Sequence, residues 1–167
     1  MNKFQLLGLV FGIAVAVAFV AKVFFTTFAA DSIQFAEWET TPKIIICRHD
    51  SAYLDAPVNF WNENGFEFSS VSETWHCPQF VKGAILVSVD TTGELTESQL
   101  GKTVFPLGNN NVIDYAHIYV KTLSYNDLDQ ITLAHELGHA LGFSHTNSDA
   151  SNHIMNPNPL RQKWSFK

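Results

Sequence analysis

Residues 135 to 145 read HELGHALGFSH, which sets three imidazoles and one carboxylate at fixed offsets in an otherwise apolar run. On a helix at about 100° per residue, His139 lies roughly 40° from His135 and one turn further on, so both rings leave one face. Glu136 falls about 60° from His139, close to that face. Leu133, Leu137, Ala140 and Leu141 gather opposite, which gives the helix a core side and a polar side. A continuing helix would carry His145 about 15 Å along the axis from His135, too far to share an ion. The helix must therefore stop, and Gly142 is placed to stop it, because glycine takes the left-handed C-terminal conformation without a Cβ penalty. Three neutral imidazoles converging on one point form an open tetrahedral zinc site with a position left for water. Glu136, outside the ligand set, is placed to take a proton from that water. A chance occurrence of the whole pattern is expected on the order of once in 10⁵ chains of this composition.

The pattern HELGHALGFSH matches HExxHxxGxxH, and HIMNP at residues 153 to 157 resembles the Met-turn of the metzincin metalloproteases, with Met155 in the methionine position. Thr146 after the third histidine and Pro157 two past the methionine are most similar to the matrixins, whose usual residue after that histidine is Ser. The specific motif covers residues 135 to 157, and the order of elements from 43 to 142 agrees with the metzincin N-terminal subdomain. The resemblance implies that fold, zinc endopeptidase activity, metal ligands at His135, His139 and His145, and catalysis by Glu136. It also implies that Met155 supports the histidines from beneath.

The chain departs from the family in three places. Twelve residues follow Met155, fewer than the C-terminal matrixin helix needs. No cysteine-switch pro-segment is recognisable, and CRHD at 47 to 50 is only superficially similar to one. The family's structural-zinc spacing is not found, so His49, His76, His117 and His153 are expected to be solvated or hydrogen-bonded.

The elements that must position these residues are legible in outline. Residues 31 to 42, DSIQFAEWETTP, are polar and end in Pro42, so they are expected to form a linker, with the zinc metalloprotease domain running from 43 to 167. KIIIC reads as a buried strand. DAPVNFWNENG, opened by a capping Asp55 and closed by Gly65, predicts a short helix. FEFSSV and GAILVSVD read as strands, the second buried on both faces. VIDYAHIYVK alternates as a half-buried strand, with Ala116, Ile118 and Val120 on one face. Residues 103 to 108, TVFPLG, predict a strand that Pro106 confines to a sheet edge, to which an extended peptide could add as a further strand. A helix from about Asn126 to Gly142 completes an α+β (mixed α/β) fold, a metzincin-like twisted sheet with a short C-terminal Met-turn segment.

At 167 residues and 46% hydrophobic content the chain can bury one ordinary core. The net charge of -6 comes from scattered acids, and the ten Lys and Arg form no basic run, so no nucleic-acid partner is expected. Residues 1 to 30 stand apart. From Phe4 to Ala21 only Gln5 is strongly polar, and such a helix would roughly span a bilayer core. Lys3 and the small residues around Thr27 to Ala29 suit a cleaved signal peptide, whereas the length of the run, broken by Lys22 before VFFTTFAA, suits a retained signal anchor. The absence of a polar face argues against a buried soluble helix. Either outcome exports the rest, where Cys47 and Cys77 are expected to pair rather than remain as buried thiols.

The partners implied are a protein or peptide substrate and a membrane through the N-terminal segment. An intramembrane protease also carries HExxH, but Asn126, Asp127, Asp129 and Gln130 open this helix and cannot sit in lipid. The alternative from another class is a non-catalytic zinc-dependent protein-binding domain displayed on a membrane.

Overall fold

A computed structural model describes residues 34 to 146 and 153 to 158. The N-terminal segment expected to be an anchor or signal peptide, and the tail beyond Asn158, lie outside the described residues. No helix among the described residues is long and apolar enough to cross a membrane.

The core is a mixed α/β arrangement of one five-stranded sheet and two helices. β-Branched and aliphatic runs make the central strands: β2 (Lys43–Cys47), β4 (Ala84–Val89) and β7 (Tyr115–Val120) lie side by side and parallel, with residues 84 to 87 of β4 all buried. Continuous burial of this kind belongs to a strand covered on both faces. Beyond β2 lies β3 (Val71–Thr74), also parallel. Beyond β7 lies β5 (Gly101–Val104), the single antiparallel member and the opposite edge of the sheet. A two-residue strand β6 (Val112–Ile113) precedes β7. Helix α1 (Asp55–Glu63) buries Val58 and Trp61, and helix α2 (Asp127–Ala140) buries Leu133 and Leu137 completely. The two helices pack against each other, joined by the Trp61 indole, whose Nε1 donates to Ala134 O at 2.8 Å.

Several local expectations need correction. Residues 34 to 38 are not a linker: β1 (Glu37–Trp38) pairs in parallel with β6, Gln34 forms an isolated bridge with Phe143, and Ala36 is buried. The polar run that follows them, Glu39 to Thr41, concealed this, as did the shortness of the paired strand. The strand expected at FEFSSV starts only at Val71; Gly65 takes a positive φ, and Phe66 turns edge-on to Trp61 and Phe143. Asp55 lies in the first turn of α1 without capping it, since a 3₁₀ turn over Ser51–Leu54, capped by Asp50, runs straight in. On β7, His117 is also buried, because its ring stacks on Tyr119 and its Nε2 lies 2.9 Å from Ser88 Oγ. Pro106 lies past the end of β5, whose register with β7 runs from Gly101↔Val120 to Val104↔His117. Cys47 and Cys77 are disulfide-bonded and tie the end of β2 to the loop after β3.

Candidate metal centre

Asn126 caps α2 by accepting from Asp129 N–H at 2.9 Å, and the helix runs to Ala140. Gly142 then takes φ +93°, and the chain swings back to bring His145 beside the two helical imidazoles. His145 Nε2 lies 3.2 Å from His135 Nε2 and 3.1 Å from His139 Nε2. Among the described residues this is the one cluster of three histidine, cysteine or acidic groups close enough to share a metal ion.

The protonation pattern points the same way. His135 Nδ1 donates to Ile154 O at 2.6 Å and His139 Nδ1 to Phe143 O at 2.8 Å, tautomers that follow from the carbonyl partners. Each Nε2 therefore turns a lone pair towards His145, whose own Nε2 can offer one proton at most. A cation between them satisfies all three nitrogens. Tetrahedral zinc at about 2.0 to 2.1 Å from each nitrogen would hold them about 3.3 to 3.4 Å apart, close to the separations seen. Burial lowers the pKa of all three rings. His135 falls to about 4, through burial first and then the neighbouring His139, against the opposing bond to Ile154. His139 and His145 are lowered, again chiefly by burial. All three are thus neutral at pH 7, the form that binds metal.

Glu136 sits beside this cluster and outside it. Thr103 Oγ1 on β5 lies 2.6 Å from Glu136 Oε2 and 2.9 Å from the Glu136 carbonyl oxygen, so its single proton serves one of them at a time. Gly101 packs just as closely, since a Cβ there would come within 2.7 Å of Glu136 Cγ and 2.9 Å of Oε1. Burial pushes the Glu136 carboxyl up to about 7, with the Thr103 hydroxyl opposing. A carboxyl balanced near neutrality is suited to taking up and releasing protons.

The polar side expected of α2 is not a solvent face. Residues 130 to 138 are all buried, because β5 covers the helix on one side and the turn at 153 to 156 on another. Met155 is fully buried, with its Sδ against the bare Cα of Gly138, the residue before His139. Thr146 N–H donates to Met155 O at 3.0 Å, and His153 Nδ1 accepts from Met155 N–H at 3.1 Å. The turn is thereby fixed to the segment just after His145.

The cluster opens into a cleft of about 770 Å³, lined by β5 residues Gly101 to Thr103, the three histidines, Glu136, Phe35, Phe105 and Pro157. Sequence reasoning named His135, Glu136, His139, His145 and Met155; the structure brings the first four to one cleft and packs Met155 against Gly138. Sequence reasoning missed Thr103 and Gly101, which carry no motif, and the carbonyls of Phe143 and Ile154, which no residue type could signal. His49 stands edge-on to Tyr53, and neither it nor His117 belongs to the cluster. The chain matches no protein-family model and no curated protein.

Proposed function

We propose that the chain is a zinc-dependent endopeptidase of metzincin type, most like the matrixins, that hydrolyses peptide bonds in extended protein segments. The observation that carries this reading is the convergence of His135 Nε2 and His139 Nε2 on His145 Nε2, at 3.2 and 3.1 Å, beside a buried carboxyl that is not one of them. Bound zinc supplies Lewis acidity, polarising the carbonyl and making water a nucleophile at neutral pH. His135, His139 and His145 would hold it, oriented by Ile154 O and Phe143 O. Glu136 takes the proton of the attacking water and delivers it to the leaving amine, while Thr103 and Gly101 keep the carboxylate from swinging away. Among the described residues no strand pairs with the outer edge of β5, which borders the cleft, so an extended peptide can add there through main-chain bonds. With residues 1 to 30 as signal anchor or signal peptide, the domain works outside the cytoplasm. The Cys47–Cys77 bond supports that location, since such bonds persist in oxidising compartments.

Glu136→Gln tests the mechanism. The variant should bind one zinc per chain with parental affinity while peptide hydrolysis falls about 10²- to 10⁴-fold, read on a peptide library with and without chelator. Near-parental turnover would remove Glu136 from the mechanism. Zinc binding without any hydrolysis by the parent would favour a non-catalytic protein-binding domain.

A further inference from the structure

Every carbonyl from Leu137 to Gly142 at the end of α2 has a partner, and the partners fall into two groups. The local ones close the helix on itself: Leu141 N–H donates to Leu137 O, Phe143 N–H to Gly138 O and Gly142 N–H to His139 O, all at 2.9 to 3.0 Å. The last two are the pair that ends a helix through a left-handed residue. The next three carbonyls are met from about a hundred residues away. Trp38 Nε1 donates to Ala140 O at 2.8 Å, Gln34 Nε2 to Leu141 O at 3.1 Å, and Phe35 N–H to Gly142 O at 2.9 Å. Gly142 is also the point of closest approach, since a Cβ there would come within 2.8 Å of the Ala36 carbonyl carbon.

The same turn carries the metal centre. Phe143 O accepts from His139 Nδ1 and so sets which way that imidazole faces, and His145 follows two residues later. The Phe143 ring is stacked on Trp61, which fixes the side chain but not the direction of the carbonyl. That direction depends on the backbone on either side, and there Gln34 and Phe35 hold it from the other edge.

We propose that Gln34, Phe35 and Trp38 are positioning residues, a brace that keeps the turn between His139 and His145 in metal-binding geometry. The inference rests on the metal-centre part of the proposed function and not on the hydrolytic step. It requires any processed form that keeps a full-strength centre to begin at or before Gln34.

The test uses the full chain. Gln34→Met with Trp38→Phe removes two donors while keeping similar bulk and an aromatic ring. Zinc affinity, read by competition with a chromophoric chelator, should fall about ten- to a hundredfold. The visible bands of the cobalt(II)-loaded protein should shift, with far-UV circular dichroism unchanged. Gln34 is exposed, so the single variants Gln34→Met and Gln34→Lys answer the question if the double variant does not fold. The methionine should weaken zinc severalfold and the lysine, which restores a donor, should recover it. Parental affinity and spectrum in a folded double variant, or equal affinity of the two single variants, would overturn the brace. A chain that binds zinc in this brace-dependent way but cuts no peptide overturns the hydrolase reading alone. A chain that binds no zinc overturns both.

Discussion

Gly138 lies in the middle of α2, where alanine would ordinarily add about 0.8 to 1 kcal/mol of helix stability. Here Gly138→Ala should do the reverse. A Cβ at this position would stand 2.7 Å from Trp61 Cζ2, about 0.7 Å inside the 3.4 Å at which ordinary contact begins, and closer still to Met155 Sδ. The indole has nowhere to go, bonded to Ala134 O and stacked on Phe143, so the methionine and its turn must retreat. Overpacking of this kind costs about 1 to 3 kcal/mol, which leaves a net loss of up to about 2 kcal/mol once the helix gain is subtracted. Because Ile154 precedes Met155 in the same turn, a retreat of about 1 Å also stretches its 2.6 Å bond to His135 Nδ1 beyond hydrogen-bonding distance. Zinc affinity should then drop about 10- to 100-fold, as it does when an outer partner of a ligand is lost. Urea unfolding of the metal-free protein and zinc competition read the two effects separately. Adding Met155→Ala makes room for the new methyl, so the double variant should lose less stability than the two single losses combined, by about 0.5 to 3 kcal/mol. A Gly138→Ala protein at least as stable as its parent, with unchanged zinc affinity, would refute the reasoning.

The metal-free protein offers a pH test that sets the three lowered imidazoles, of which His135 is shifted to about 4, against the raised Glu136. His135, at about 4 in the fold against 6.5, leaves the unfolded chain binding more protons between those values, so its contribution is fully present above pH 6.5 and lost as pH falls towards 4. Glu136, at about 7 against 4.5, binds more protons in the folded state, and its contribution, fully present below pH 4.5, is lost as pH rises towards 7. Metal-free Glu136→Gln, freed of the opposing group, should lose about 3 kcal/mol between pH 6.5 and 4, while the parent stays flatter; parallel stability profiles would count against both assignments. Replacing Cys47 and Cys77 together by alanine opens a loop of sequence separation 30 and should cost about 3 to 4 kcal/mol in urea unfolding. A loss below about 1 kcal/mol would assign the stability of that corner to packing instead.

The histidines and Glu136 were legible because a helical repeat and a helix-stopping glycine leave their marks in residue type. The buried run of β4 was legible from its unbroken apolar residues, and the end of α1 from the glycine that follows it. The cover over α2 was not. Periodicity groups His135, Glu136 and His139 on a face, but whether that face meets water or a strand depends on sheet order, and only the antiparallel pairing of β5 with β7 puts Thr103 against Glu136. The stretch at 34 to 38 was misread for a related reason: its paired strand is two residues long, too short to show a period, and its value lies in donors aimed at carbonyls that no sequence pattern displays. The carbonyls of Ile154 and Phe143 belong to the same hidden class, since every residue but its geometry is alike in owning one.

The bonds from Trp38 and Gln34 to the end of α2 span 102 and 107 residues. That separation has a temporal consequence. A chain is made from its N-terminus, so residues 34 to 38 leave the ribosome long before the helix end they serve exists. Closing a loop of this size costs about 4 kcal/mol of chain entropy, and contacts so distant in sequence are slow to form. A nascent chain stopped short of residue 140 lacks the carbonyls that its N-terminal donors await, and one stopped short of residue 145 still lacks the third imidazole. The centre is thus absent from every length that stops short of His145, and any chemistry it performs begins only after synthesis of the domain has passed that histidine.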